Sequence, residues 1–402
     1  MLNIIPDRAA PLMDWLRTDA IRLPDTSTII ESLLEGLNNL DVDVYRISTG
    51  VTILHPNIRA ESILCERGKP AERRLYSTSP KLDEMYDNSP MKIVYTEGRA
   101  VRVRIGPEPQ PGEFGIIPDL RADGATDYVA MPMPFSDGSI KGVTFATKAP
   151  AGFSDEDLEI IYALGDPLGI AFEIHTNRRS AETLLDLYVG RYAGKRVLEG
   201  EIQRGQGETI DAVITFTDLR NFTRLSNEFG DETVIDLLNE YFGIVTRHVD
   251  NHDGEVLKFI GDAVLSIFPY WCDQTARDAT ERAIKAMIGA HREVERLTIT
   301  EGEAIRPIRC GTALHIGDVY YGNVGGESRL DFTVIGSTVN LASRIESLTK
   351  VVGKPILVSS EFARRSMVAL ESVGAYELDG FEGYTTVFSP APILMDQVGT
   401  AA

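Results

Sequence analysis

The stretch GEVLKFIGDAVLSIF, residues 254–268, holds two short apolar-rich runs broken at Ile260-Gly261-Asp262, which predicts a β-hairpin with an acid at its tip. Upstream, AVITFTD (212–218) is a buried-strand pattern that opens into polar residues. Between the two, Asp231 stands where it can cap a helix whose apolar positions Val234, Leu237, Leu238, Tyr241, Phe242 and Val245 follow helical spacing. Downstream the pattern predicts a helix over 275–297 and a strand–turn–strand in IRCGTALHIGDVYYGNVGG (308–326). DFTVIGS (331–337) then leads into a helix over 338–349, TVNLASRIESLT. Strands and helices in this mixed order imply an α+β fold, a sheet with helices on one face.

The first half reads as a separate α/β unit. DVDVYRISTGVTILH (41–55) carries a hairpin signal at Ser48-Thr49-Gly50, and strands are expected over 93–104 and 127–147, the latter turning at Ser136-Asp137-Gly138. Ser154 with Asp157 forms a capping-box pattern ahead of Leu158, Ile161, Leu164 and Leu168, and Pro167 should kink or end that helix. Residues 176–205 read as a connector, with Leu184, Leu185, Leu187 and Tyr188 on roughly one helical face and Gly190, Gly194 and Gly200 after it. It is either a plain linker or a signal-transmitting helix at a dimer interface.

Composition narrows the function. The 402 residues carry 40 Lys+Arg against 60 Asp+Glu, a net charge of −20, which disfavours a dedicated nucleic-acid binder because phosphate contacts need massed cations. The three cysteines (Cys65, Cys272, Cys310) are widely spaced, so neither a disulfide framework nor a zinc site is expected. No signal-peptide pattern and no run long enough to insert in a membrane is evident, which predicts a cytoplasmic protein.

Two aspartates stand where ligands for hard metals are expected. Asp218 ends a buried strand beside the backbone of Leu219 to Thr223, and Asp262 tips the hairpin. Two carboxylates from adjacent strand ends can bridge two Mg²⁺ ions, which clamp the oxygens of a phosphoryl-type displacement. The amides that follow lead into a helix, where a triphosphate can lie. Taken singly, Asp218 reads better as a helix cap and Asp262 as a turn residue than either does as a metal ligand. Asn340 and Arg344 share a helix face at i, i+4, so an amide and a guanidinium project together. Lys258 precedes Asp262 by four residues, and Thr333 precedes Asn340 by seven.

Together, FTDLRNFT (216–223), GEVLKFIGDAVLSIF (254–268) and GNVGGESRLDFTVIGSTVNLASRIE (322–346) resemble the catalytic domain of class III nucleotidyl cyclases, over roughly residues 205–390. That resemblance implies a ferredoxin-like domain, a βαββαβ core with extra strands. It implies metal binding by Asp218, Leu219 and Asp262, with two Mg²⁺ or Mn²⁺ ions per site. Substrate contacts fall to Lys258, Thr333, Phe222, Thr223 and Arg329, ribose orientation to Asn340, and transition-state stabilisation to Arg344. Lysine with threonine is the adenine-type purine pair, so the substrate implied is ATP, cyclised to 3′,5′-cyclic AMP and pyrophosphate. A guanylate cyclase and an inert cyclase-fold regulatory protein are the alternatives. Family members build each site from two catalytic domains, which here implies a homodimer.

The chain departs from the family at Asn221, where glycine is usual, and at Ser337, where an acid or amide is common. It also lacks the late lysine that contacts triphosphate: no Lys or Arg follows Arg365, and the matching segment reads YELDGFEGYTTVF (376–388). The N-terminal half is similar, more weakly, to GAF sensory domains through residues 128–165. It either binds a small-molecule regulator or only dimerises, and Cys65 reads as a buried structural thiol. The organisation expected is a GAF-like domain over 1–175, a helical linker over 176–205, a catalytic domain over 206–392 and a tail over 393–402.

Overall fold

The computed structural model describes residues 7–56, 58–302 and 304–391; the expected tail, 393–402, lies outside them. The chain divides into two units, Met1–Leu184 and Leu185–Ala402.

The first unit contains α1 (Ala10–Thr18), α2 (Thr26–Asn39), β1 (Arg46–Thr52), β2 (Ala60–Glu66), β3 (Glu72–Tyr76), α3 (Pro80–Asp87) and α4 (Pro90–Glu97). It continues with β4 (Val101–Arg104), α5 (Ile117–Ala122), β5 (Asp127–Pro134), β6 (Ile140–Thr147) and α6 (Asp155–Ala163), and α7 (Gly165–Val189) starts in it. The strands form one antiparallel sheet in the order β3-β2-β1-β6-β5-β4. One face packs on α1, α2, α6 and the start of α7 through Leu16, Ile30, Ile47, Phe145, Ile161 and Phe172. The other is covered by α4 and α5 through Val94, Ile117 and Leu120.

The expected hairpin at Ser136-Asp137-Gly138 forms between β5 and β6, and the Ser154–Asp157 capping box is present in both directions. Helix α6 ends before Pro167, which sits in the first turn of α7, where its missing N–H costs nothing. Cys65 is buried, and burial pushes its thiol up to about 11.

Two strand expectations fail for a local reason each. Ser48-Thr49-Gly50 is not a turn but the middle of β1, where a Cβ on Gly50 would lie 2.7 Å from the Tyr95 hydroxyl. Within 93–104 only Val101–Arg104 is strand; the rest ends α4, capped by the Ser89 side chain and closed by left-handed Gly98 (φ +63°). In α7, a Cβ on Gly169 would come 2.4 Å from the Pro134 carbonyl oxygen, which is backbone and cannot swing aside. Gly169→Ala is therefore expected to cost about 1–3 kcal/mol, read as a lower thermal unfolding midpoint.

The second unit begins with α8 (Arg191–Leu198), β7 (Gly207–Leu219), α9 (Phe222–Glu228), α10 (Asp231–Asp250), β8 (Glu255–Ile260), β9 (Ala263–Tyr270) and α11 (Asp273–Val294). A small ribbon, β10 (Thr298–Glu301) and β11 (Ala304–Pro307), precedes β12 (Cys310–Gly325), β13 (Leu330–Ile335) and α12 (Ser337–Val352). The unit closes with β14 (Ile356–Ser359), α13 (Ser360–Arg365), β15 (Leu370–Glu377) and β16 (Tyr384–Pro390). The run β7-α10-β8-β9-α11-β12 is the expected βαββαβ core: its strands lie in the order β12-β7-β9-β8, all antiparallel, with β14, β16 and β15 added beyond β12.

The α+β class holds, but helices cover both faces of this sheet, because β12 is apolar on both sides. Leu314 and Ile316 pack with α10 and α11, while Ala313 packs with Ile345 and Leu348 of α12. The turn expected within 308–326 is absent: β12 is one 16-residue strand. Its glycines admit close neighbours instead, since a Cβ on Gly317 would lie 2.8 Å from Thr338 Oγ1 and one on Gly322 2.3 Å from the Gln206 carbonyl. The cap of α10 is Gly230, not Asp231, which instead places its charge in the first turn.

Candidate active site

Strand β7 ends at Leu219, and its alternation points Thr217 at α11 and Asp218 at α12. Tyr241 of α10 fixes this end from below by donating to the Thr217 carbonyl at 3.1 Å. The chain then reverses through Asn221, left-handed at φ +59°, into α9. That conformation explains the departure from glycine: asparagine is among the few side-chain-bearing residues that tolerate it. Leu219 and Phe222 pack into the core, so only their backbone faces the site; Phe222 and Thr223 open α9 with first-turn N–H groups.

Asp262 follows left-handed Gly261 (φ +66°) in the β8–β9 hairpin, which brings its carboxyl against that of Asp218. Burial first, and then the Asp218 carboxyl, push Asp262 up to about 6 despite the pull of Lys350. Lys350, in the last turn of α12, donates to Asp218 Oδ2 at 2.6 Å. Below it, buried Glu346 pairs with Arg220, whose guanidinium also reaches the Thr349 hydroxyl. Burial first, and next the charge of Asp218, raise the Glu346 carboxyl.

Among the described residues no set of three or more His, Cys, Asp and Glu gathers as a metal cage. Two carboxylates beside backbone oxygens are nonetheless a hard donor set suited to Mg²⁺ or Mn²⁺. The ammonium already seated on Asp218 shows that this carboxylate draws a cation.

The other expected residues form a second group. Lys258 of β8 is ion-paired with Asp331 of β13, two residues before Thr333 and therefore on the same strand face. Thr333 is registered opposite Gly322, and Asp218 opposite Gly311, so the two positions on β12 are eleven residues apart, about 35 Å of strand. Asn340 is exposed near the start of α12. Half-exposed Arg344 meets Asp379 at 3.2 Å, an acid in the segment that lacks the late lysine. Six residues separate Arg344 from Lys350, about 9 Å along the helix and about 120° around it. Arg344 thus faces away from the carboxylate pair of its own chain. Arg329 is exposed in the β12–β13 turn, where its carbonyl accepts from Gly326 N at 2.9 Å.

One chain therefore brings Asp218 to Asp262 and Lys258 to the strand of Thr333, but does not bring Arg344 or Arg329 to the carboxylates. Sequence reasoning missed Asp331, Lys350, Glu346 and Arg220. The two-residue step from Asp331 to Thr333 was a usable signal; the contact of Lys350 with Asp218, across 132 positions, left none.

Residues 206–389 match the family model described as the adenylate and guanylate cyclase catalytic domain. An uncharacterized protein of Mycobacterium tuberculosis is 33% identical over 186 residues, 46% of this chain and 33% of that protein. An adenylate cyclase of Anabaena cylindrica is 34% identical over 164 residues, 40% of this chain and 32% of its own length. The chain spans about a third of the length of these curated relatives. The crystal structure of an adenylyl cyclase from P. aeruginosa is 25% identical with a TM-score of 0.40, covering 46% of this chain and 96% of that one. No helix among the described residues is long and apolar enough to cross a membrane. Residues 206–389 are a class III adenylate and guanylate cyclase catalytic domain.

Proposed function

We propose that the chain is an adenylate cyclase that converts ATP to 3′,5′-cyclic AMP and pyrophosphate. The observation that carries this reading is the convergence of the Asp218 and Asp262 carboxyls at the end of β7, beside the opening turn of α9. Asp218, Asp262 and the Leu219 backbone would hold two Mg²⁺ or Mn²⁺ ions, which supply Lewis-acid activation of the ribose 3′-hydroxyl and charge neutralisation on the triphosphate. The N–H groups of Phe222 and Thr223 bind phosphate oxygens, with Arg329 as a further phosphate contact. Lys258 donates to adenine N1 and Thr333 accepts from the 6-amino group. Guanine inverts both groups and leaves both partners unmatched, which disfavours a guanylate cyclase. Asn340 orients the ribose. Arg344 meets the negative charge that grows on the phosphorus oxygens, so it acts mainly in the transition state.

Because Arg344 points away from the carboxylates of its own chain, the complete site needs the second half from another copy. The active form is then a homodimer with two equivalent sites, each joining the carboxylate pair of one protomer to the adenine pair and Arg344 of its partner. The N-terminal unit is read as a GAF-like sensory domain taking an unidentified small molecule. The test is turnover of ATP and of GTP by the purified chain with Mn²⁺. Cyclic AMP as the dominant product is the expected result; cyclic GMP as the dominant product, or none from either nucleotide, rejects the reading.

A further inference from the structure

The carboxylate pair is not open to a cation without cost, because one is already there. Lys350 Nζ lies 2.6 Å from Asp218 Oδ2, and the Asp218 side chain keeps only 15% of its exposure. The lysine is held in reach by α12, whose C-terminal half is anchored to the strand end by the Arg220–Glu346 pair and the Arg220–Thr349 hydrogen bond. Its own side chain remains 49% exposed, so the ammonium has solvent to move into on a four-carbon stem. Glu346, one turn earlier, has its Oε1 committed to Arg220 and Thr349. The ammonium and a divalent ion would draw on the same Asp218 carboxylate.

We propose that Lys350 is an internal competitor for the divalent cation: it holds Asp218 in the free enzyme and must leave that carboxylate before a metal binds. This inference rests on the reading of Asp218 as a metal ligand. It predicts that the free enzyme binds divalent ions more weakly than its carboxylates alone would, and that removing the ammonium strengthens binding. An ion pair half open to solvent is worth up to about 1 kcal/mol, which corresponds to about a fivefold change.

The experiment is direct Mn²⁺ binding to the full chain without nucleotide, followed by loss of the free-ion electron paramagnetic resonance signal. Variants are Lys350→Met, Lys350→Arg and Asp218→Asn, with thermal unfolding recorded for each. Lys350→Met is expected to bind Mn²⁺ about fivefold more tightly than the parent, and Lys350→Arg to stay near the parent value. If Asp218→Asn abolishes binding while Lys350→Met leaves it unchanged or weakens it, the competitor role is rejected and the metal site stands. If Asp218→Asn binds Mn²⁺ as the parent does, the metal assignment itself fails and the inference with it. Where Lys350→Met lowers the unfolding midpoint, Lys350→Gln replaces it in the same comparison, with the same criterion.

Discussion

Arg344→Ala is expected to lower kcat by about 10²–10³ while changing KM for ATP far less, because in the proposed reaction its guanidinium meets charge that exists mainly in the transition state. Among the described residues Arg344 pairs with Asp379, an acid 88% exposed, so it is available to a nucleotide at little cost. Arg344 faces away from Asp218 on α12, so in the proposed dimer Asp218→Ala and Arg344→Ala damage different halves of a shared site. In a fully exchanged mixture half of the dimers are mixed, and each holds one intact site and one doubly defective site. Activity should therefore return to about a quarter of the wild-type value, as expected for a two-fold interface that pairs unlike halves. Each variant alone stays at about a hundredth of the wild-type activity or below. A mixture no more active than its components, with exchange demonstrated by subunit labelling, would show that each chain completes its own site.

What could be read in the sequence was what the chain decides locally. The 254–268 hairpin is written in its alternation and in Gly261, whose left-handed conformation aims Asp262. Helix α6 is written in its capping box. Glycine misled the reading wherever the reason for it was distant: Gly50, Gly317 and Gly322 are strand residues that let Tyr95, Thr338 and Gln206 approach. The same division runs through the site. Asp218, Asp262 and Arg344 are legible because motif spacing carries them. Lys350 and Asp331 complete charge pairs whose partners lie 132 and 73 positions away, and only the folded sheet brings those ends together. The rotation of Arg344 away from Asp218 was readable only after Lys350 fixed which face of α12 meets the carboxylates.

That hidden partner alters the second large prediction, a change of purine. Replacing the proposed adenine pair by its guanine-type counterpart, Lys258→Glu with Thr333→Cys, should move preference from ATP toward GTP. Two mismatched hydrogen bonds at about 1–3 kcal/mol each translate into a shift of the kcat/KM ratio by about 30-fold to about 2 × 10⁴-fold. In this chain, however, Lys258 is ion-paired with Asp331. A carboxylate introduced at 258 would face that of Asp331, and like charges in contact repel where opposite charges attracted. The double variant is therefore expected to lose ATP turnover while gaining little with GTP, because the new acid is pushed off the guanine edge or protonated. Adding Asp331→Asn removes the repulsion and keeps a hydrogen-bonding side chain at the position. The triple variant should then show the full shift, read as kcat/KM for GTP over that for ATP with Mn²⁺. If the double variant already prefers GTP as strongly as the triple, Asp331 does not act on the purine lysine. If neither changes selectivity, Lys258 and Thr333 do not read the base.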